Sequence, residues 1–593
     1  MAKKQIDEAK NDNVERMRHT LSHVLAAAVS ELYPDAKFGI GPAIDDGFYY
    51  DIDFGTASIT EADLPKIEKK MRGIIQRGFK METSEKIRKE ALAWASEGGQ
   101  KYKIELIEDL PADEKISFYA MVAGDGKVVF EDLCKGPHVS SSKEVGAFKL
   151  TKVAGAYWRG DEKREMLTRI YGVAFETEEA LKEYLDWQEE AKARDHRKLG
   201  QQLELYCSSP LVGSGLPLFT PRGTILRDML NRFAQSYRED RGYKKVCIPH
   251  IALVDLYKTS GHYEKFPELL KFVSSESGDE LALKPVNCPH HAQIFASLPR
   301  SYKELPVKYL ETTMVYRDER KGELGGLSRV RAITQDDSHV FCTEDQIGDI
   351  FGELIESAKD LYQKVDMKLR LRLSFRDDGD GYIGTKEMWE KAQTAIQKMA
   401  DKYKMDYFIG LGEAAMYGPK MDFMAVDALG REWQLATVQL DYAMPERFGL
   451  EYIAEDGSKK RPVMIHCALI GSIERFMSVF IEHTAGWFPF WCAPEQVRIL
   501  TVNDQVADYV AEIEKILSGI TLEEPIKRND LRFEVDSSAD SLGKKIRRAT
   551  EMKIPCVLIV GPKDAEAKTV SVRLRDKEET VKLSELKEYL LGL

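Results

Sequence analysis

One stretch of the chain, Thr312 to Phe341, admits few folds; it reads TTMVYRDERKGELGGLSRVRAITQDDSHVF. Two runs of alternating apolar residues, Thr313–Tyr316 and Val330–Ile333, flank a polar, glycine-rich segment, Lys321–Leu327, and predict a long antiparallel hairpin. Its polar content is high for strands whose faces are simply buried or simply wet: Arg317, Glu319, Arg329, Arg331, Gln335, Asp336, Asp337 and His339 all fall here. A guanidinium fork grips a phosphate bidentately and keeps its proton, while a nearby carboxylate accepts from an amine. A ligand carrying both groups fits, and ATP together with an amino acid is such a ligand. On this stretch alone, an exposed charged hairpin is the alternative.

The chain has 593 residues, enough for three or four domains, each with its own core. Hydrophobic residues at 43% and charged residues at 31% are those of a globular protein. No apolar run approaches the roughly 18 residues that cross a bilayer, and the opening MAKKQIDEAKNDNVERMRHT is too polar for a secretory signal, so the expected location is the cytoplasm. The eight cysteines, at 134, 207, 247, 288, 342, 467, 492 and 556, are too scattered for a disulfide framework and read as thiols with a few candidate ligands. Net charge is −12, which argues against nucleic acid as a partner without forbidding it, because phosphate affinity follows local basic surface. The densest basic cluster is Lys544-Lys545-Ile546-Arg547-Arg548, which a helix would gather on one side of its axis.

Pattern divides the chain into four parts. Residues 1–172 read as an α+β unit whose first helix, Val14–Leu32, is amphipathic and carries His19 and His23 one turn apart. Far downstream, Asp132-Leu133-Cys134-Lys135-Gly136-Pro137-His138 is a loop. The three histidines and Cys134 either make a zinc set or are unrelated; spacing leaves both open. Residues 173–206, charged and free of proline, read as a helical linker. Residues 207–490 mix helices with many strands: 216–240 predicts a strand, a Pro-Arg-Gly turn and an amphipathic helix, and 242–251 a short strand stopped by Pro249. Residues 491–593 alternate strand and helix, with strands at 497–502, 531–535, 556–560 and 570–575 and a helix at 542–551, predicting a largely parallel α/β sheet. In the third part Cys288 (in KPVNCPHH), His339 and His466 (in PVMIHCALIGSIERF) form a three-ligand set of the kind that leaves zinc a vacant position. Each alone is as well explained as a hydrogen-bonded core residue.

These motifs resemble the threonyl branch of the class II aminoacyl-tRNA synthetases. The hairpin resembles motif 2, TQDDSHVF that branch's own signature, 216–251 the dimer-forming motif 1, and GSIERF at 471–476 motif 3. The resemblance implies a multidomain α+β protein: an amino-terminal α+β editing domain, an antiparallel-sheet class II catalytic core and a carboxy-terminal α/β anticodon-binding domain. It implies a homodimer that makes threonyl-adenylate from threonine and ATP and transfers the acyl group to tRNA(Thr), with Mg²⁺ on the phosphates. The zinc ligands are then Cys288, His339 and His466; ATP meets Arg317, Glu319, Arg329, Gln434 and Arg475, of which Arg317 and Arg475 are catalytic; threonine meets Gln335, Asp337, Tyr417, Lys420 and Gln439. His262 in KTSGHY is the candidate base for acyl transfer.

Zinc has a chemical reason there. Valine is nearly isosteric with threonine, and only coordination of both amine and hydroxyl separates them strongly. Serine passes that test and is resisted by only roughly 1–3 kcal/mol, so a second, hydrolytic site is needed. HisxxxHis at 19–23 with CysxGlyProHis at 134–138, extended by GAYWRGD at 155–161 and RIYG at 169–172, resembles the editing domain of threonyl and alanyl enzymes. It implies an editing set of His19, His23, Lys103, Asp132, Cys134 and His138, which does not require a metal. Arg547 and Arg573 match anticodon-contacting positions, and Lys553 stands at a third where arginine is common.

Four departures from the family pattern stand out. The chain starts close to His19, without the small preceding domain many members carry. His290 replaces a glycine beside Cys288 as a rival ligand, Cys467 follows His466 where arginine is common, as a residue that tunes the site or a spare thiol near zinc, and Ala539-Asp540 replaces an anticodon-contacting asparagine. Two other functions fit parts of the pattern: an adenylate-forming paralogue that charges something other than tRNA, and a non-catalytic sensor of tRNA or threonine.

Overall fold

The structure is a computed structural model that describes residues 2–111, 114–265, 271–274 and 276–593. The chain divides into two compact units, Met1–Glu189 and Glu190–Leu593.

In the first unit α1 (Ala2–Leu32) starts before the expected Val14. It is not simply amphipathic: every residue from Val24 to Val29 is fully buried, because small and apolar side chains there let structure close around the helix. β1 (Gly47–Asp53) belongs to a five-stranded antiparallel sheet. β2 (Phe79–Lys86), α2 (Lys101–Glu108), β3 (Ile116–Ala123) and β4 (Val128–Leu133) follow, with β2, β3 and β4 forming a three-stranded sheet in that order. β5 (Ala147–Tyr157) and β6 (Met166–Phe175) complete the first sheet, β6 lying between β1 and β5. Leu21, Leu25, Phe48, Phe79, Met121 and Ile170 join α1 and both sheets in one core. Since β6 runs to Phe175, the boundary expected at 172 cuts a strand and the unit extends past it. α3 (Glu178–Arg194) makes part of the stretch 173–206 helical, and the division between the two units falls inside it.

The second unit opens with α4 (His196–Gln202) and α5 (Pro221–Glu239). The Pro-Arg-Gly expected to turn is instead the first turn of α5. Proline suits a helix start, and Thr220 caps it by accepting from the Gly223 N–H at 3.1 Å. The central sheet takes in β7 (Lys244–Lys245), then, past the short helix α6 (Cys288–Ala296), β8 (Val307–Tyr316), β9 (Ala332–Cys342), β10 (Lys368–Phe375), β11 (Tyr407–Leu411), β12 (Lys420–Val426), β13 (Glu432–Asp441) and β14 (Val463–Ala468). Its order is β7-β8-β9-β14-β13-β12-β10-β11, antiparallel except at the two outer pairs. β8 and β9 are the expected hairpin, with Thr313 opposite Gln335 and Tyr316 opposite Ala332. α7 (Ile473–His483) packs against the sheet.

The last part of this unit holds β15 (Val497–Thr501), β16 (Phe533–Asp536), α8 (Leu542–Glu551), β17 (Cys556–Val560), β18 (Thr569–Arg573) and β19 (Glu578–Lys582), in sheet order β16-β15-β17-β18-β19. Only β16, β15 and β17 are parallel; β18 and β19 are antiparallel, which corrects the largely parallel expectation. The link Gly561–Lys568 is shorter than the dozen or so residues a parallel crossover needs. Nor is the basic cluster of α8 a free cationic face. Lys545 is buried and donates to Thr501 O, Thr501 Oγ1 and Asp536 O, while Arg548 pairs with Asp536 and Asp540, Lys544 with Asp540 and Arg547 with Glu551. Among the described residues no helix is long and apolar enough to cross a membrane.

Strand pleat sends alternate residues of β9 to opposite faces. Asp336 faces α5 and pairs with Arg238, both fully buried, while its Oδ2 also accepts from the N–H groups of Leu469 and Ile470 at 2.9 and 3.0 Å. Arg238→Ala would strand that carboxylate. It is expected to destabilise this unit by about 3–5 kcal/mol, read from the urea midpoint by tryptophan fluorescence.

Candidate functional site

The other face of β9 carries Gln335, Asp337 and His339, and sheet register extends them into a row. His339 sits opposite Tyr309 of β8 on one side and His466 of β14 on the other; His466 faces Gln439 of β13, and Gln439 faces Lys420 of β12. Five side chains distant in sequence thus become neighbours through strand pairing alone.

Cys288, at the start of α6, completes a buried trio with His339 and His466, their ligand atoms all within 4.8 Å of one another. Outer partners orient each ring. His466 turns Nδ1 toward His339 Nε2 (3.1 Å) while its Nε2 meets Asp441 Oδ2 at 2.9 Å. His339 Nδ1 meets His291 Nδ1 at 2.8 Å, and His291 Nε2 meets Glu311 Oε2 at 3.3 Å. Such carboxylate-backed imidazoles are the usual support of a metal site. Burial drives the Cys288 thiol well above its ordinary range, with Asp337 and Asp441 adding to it, and drives His339 well below, so the imidazole is neutral. A divalent cation would reverse the thiol's penalty, and two imidazoles with one thiolate are a zinc-type donor set with a position to spare.

Two expectations about neighbours are corrected. His290 is no rival ligand: Cys288 and His291, three apart, share a helix face, whereas His290 lies on another and has neither ring nitrogen bonded. Cys467 lies on the opposite face of β14 from His466, toward Arg238, where burial pushes its thiol up to about 11.

Beside the trio, Asp337 accepts from Asn287 Nδ2 at 3.1 Å, and burial raises its carboxyl above the ordinary range, which a cationic partner would reverse. Tyr417 donates to Gln439 Oε1 at 2.6 Å and stacks on His466 with centroids 4.7 Å apart. Lys420 reaches Asp422 at 3.1 Å. His262 is buried, its Nδ1 2.8 Å from Ser260 Oγ and its ring 6.4 Å from Tyr417; burial, then His466 and Arg317, lower it to about 3.

Next along the sheet lies an open cleft. It is lined by all five residues expected to meet ATP, Arg317, Glu319, Arg329, Gln434 and Arg475, together with Gln335 and Gln439. Burial lowers Arg317 and Arg475, and Arg329 adds to the effect on Arg475. Crowded guanidiniums of this kind call for an anion. Arg317 Nε donates to Pro285 O (3.4 Å), Arg475 Nε to Ser328 O (3.0 Å) and Arg329 Nε to Glu319 Oε2 (2.8 Å). Gly471 at the cleft floor has φ of 66°, and a Cβ there would lie 2.5 Å from Leu435 O, so only glycine lets β14 turn into α7.

The first unit holds its own pocket, and the structure brings together the residues expected there. His19, His23, Cys134 and His138 converge within 4.8 Å. Cys134 Sγ lies 3.3 Å from His19 Nε2 and 3.2 Å from His138 Nε2, while His19 Nδ1 meets Pro137 O and His138 Nδ1 meets Thr20 Oγ1, both at 3.1 Å. Lys103 and Asp132 form a buried pair at 2.7 Å, joined by Tyr50, whose hydroxyl bonds Asp132 and accepts from Lys103. Burial pushes the Cys134 thiol up to about 11 and lowers all three histidines, so the pocket presents neutral donors and acceptors beside one ion pair.

Of the expected anticodon positions, Arg547 is exposed on α8 and Arg573 ends β18, 3.7 Å from Glu578. Lys553 is half-buried over the Trp487 ring at 5.1 Å, with Arg575 over the same ring at 5.4 Å. Sequence reasoning missed Tyr50, Thr20, Asn287, His291, Glu311 and Asp441. Asp441 lies two residues after Gln439 and His291 closes the quoted KPVNCPHH, so parity and helix spacing could have found those two; the others had no local signal.

Three family models match: tRNA synthetase class II core domain (G, H, P, S and T) over residues 271–484, anticodon binding domain over 496–593, and threonyl and alanyl tRNA synthetase second additional domain over 116–171. Threonine–tRNA ligase of Gloeobacter violaceus is 50% identical over 579 residues, covering 95% of this chain and 89% of that protein. The Deinococcus radiodurans threonine–tRNA ligase is 47% identical, covering 97% and 88%. Among solved structures, the RNA binding domain of threonyl-tRNA synthetase from Cryptosporidium parvum Iowa II is 34% identical with a TM-score of 0.63, over 67% of this chain and 98% of that one. Giardia lamblia prolyl-tRNA synthetase, at 17% identity and a TM-score of 0.54 over 68% of this chain and 76% of that one, shares the fold. A zinc ion held by the trio would be retained about 10- to 100-fold less tightly in Asp441→Asn, which removes the charge behind His466, as read by chelator competition.

Proposed function

The chain belongs to the threonine–tRNA ligases, and from that membership we propose that the second unit activates threonine with ATP and charges tRNA(Thr), while the first hydrolyses seryl-tRNA(Thr). The observation that carries this reading is the trio Cys288, His339 and His466 converging beside Asp337, with His466 paired opposite Gln439, which lines the arginine cleft.

Zinc held by the trio would supply coordination positions for the threonine amine and β-hydroxyl, the second of which valine lacks. The chain's own residues do the rest. Asp337 accepts a hydrogen bond from the amine, and Gln335, Gln439, Tyr417 and Lys420 border the amino acid. ATP, with its Mg²⁺, lies along the cleft: Glu319 takes the adenine amine, Arg317 the α-phosphate, Arg329 and Arg475 the outer phosphates, with Gln434 on the cleft wall. A threonine carboxylate oxygen attacks the α-phosphorus, the bond from that phosphorus to the bridging oxygen breaks, and pyrophosphate leaves. The attacking carboxylate is already ionised, so the step needs placement and charge stabilisation rather than a base. In the second step a terminal ribose hydroxyl of the tRNA attacks the acyl carbon and AMP leaves. His262, kept neutral by burial, is the proposed acceptor of that hydroxyl proton.

Serine carries the same hydroxyl and is smaller, so the core rejects it by only about 1–3 kcal/mol. In the first unit His19, His23, Cys134 and His138 would orient water and the seryl ester, with Lys103, Tyr50 and Asp132 fixing the amine. Arg547, Lys553 and Arg573 are the proposed anticodon contacts. The α5 and β7 segment, which resembles motif 1, is proposed to pair two subunits, and the cytoplasm is the proposed location.

Two variants separate the sites. His339→Ala is expected to lose zinc and to lower threonine-dependent ATP–pyrophosphate exchange by at least about a hundredfold, the loss of a Lewis-acid contact worth several kcal/mol; full exchange in a metal-free sample would reject the assignment. Cys134→Ala is expected to leave threonylation within about twofold, since the substitution lies in the other unit and, among the described residues, shares no partner with the threonine or ATP residues, while seryl-tRNA(Thr) accumulates in a charging assay.

A further inference from the structure

The hairpin tip between β8 and β9 is gripped from outside by His196, the first residue of α4. Its ring is 6% exposed and both nitrogens are used. Nε2 accepts from the Leu327 backbone N–H at 3.1 Å, and Nδ1 lies 2.6 Å from Glu482 Oε1, near the end of α7. Because a peptide N–H already occupies Nε2, the ring proton must sit on Nδ1 and donate to the carboxylate; one neutral tautomer meets both demands. The same Glu482 oxygen accepts from the His196 backbone N–H at 3.0 Å, and Oε2 pairs with Arg431 at 2.6 Å. Gly326, at φ 59°, brings the loop so close that a Cβ would lie 2.4 Å from His196 Nε2. Asp195, His196 and Glu482 are near enough to hold an ion, but both ring nitrogens are committed and Asp195 caps α4 through the Arg197 N–H at 2.8 Å. The trio is therefore a latch on the loop.

Leu327 leads directly into Ser328 and Arg329, both of which line the cleft. Leu327 is fully buried, Ser328 O takes the Arg475 guanidinium, and Gly325 N–H closes the turn on Arg329 O at 3.2 Å. Both outside anchors lead back to α7, Arg475 in its first turn and Glu482 in its last. We infer that His196 is a positioning residue for nucleotide binding, holding Ser328 and Arg329 in the cleft through the Leu327 N–H, an inference that rests on the assignment of this cleft to ATP.

Steady-state ATP–pyrophosphate exchange on the full-length enzyme tests it with two partial isosteres. His196→Asn keeps a donor for Glu482 but does not reach Leu327, and its KM for ATP is expected to rise about tenfold or more. His196→Gln keeps an acceptor for Leu327, and its KM for ATP is expected to stay within about threefold of the parent. KM for threonine and zinc content are expected to be unchanged in both. Arg317→Ala tests the cleft itself: if it leaves KM for ATP unchanged, the ATP assignment fails and the inference with it. If Arg317→Ala is impaired while His196→Asn and His196→Gln share one KM for ATP, raised or not, the inference alone is overturned.

Discussion

The buried pair of Asp336 and Arg238 fixes the strand on which everything else depends. Asp336 holds α5 through the guanidinium and the approach to α7 through two peptide N–H groups, so β9 cannot slip by one residue without exposing a charge to the core. With that register set, the pleat delivers Gln335, Asp337 and His339 to the opposite face. Cross-strand pairing then puts His466 and Gln439 beside them.

Two contrasting electrostatic environments result on one sheet face. Around Cys288, His339 and Asp337 burial favours neutral forms, a state that a divalent cation would relieve. In the adjoining cleft, guanidiniums crowd with few carboxylates among them, a state that phosphates would relieve. Under the proposed reading the amino acid and the nucleotide take separate, adjacent places, with the carboxylate–phosphate junction between them.

The pocket of the first unit answers a limit of the core rather than duplicating it. Coordination chemistry separates an alcohol from a methyl group, but it does not separate two alcohols that differ by one methyl group. A neutral cluster of imidazoles and a thiol beside a Lys103–Asp132 pair is suited to holding water against an ester, and its thiol is too weakly acidic to compete as a nucleophile.

The hairpin was legible in residue pattern alone, whereas spacing left open whether His19, His23, Cys134 and His138 belong together and whether Cys288, His339 and His466 are more than core residues; resemblance to the family joined both sets and the arginines of the cleft. Strand parity was likewise readable: it separates Asp336 from Asp337 without coordinates. Only the tertiary structure decided which groups stand behind the ligands. Asp441, His291 and Glu311 reach the trio through pairing of strands and a helix far apart in the chain, and Tyr50 reaches Lys103 and Asp132 in the same way. It also decided that Cys467 turns away, that Lys545 is consumed inside its own domain, and that His196 closes on Leu327. Side-chain direction and partner depend on packing between elements, which no local pattern of residues encodes.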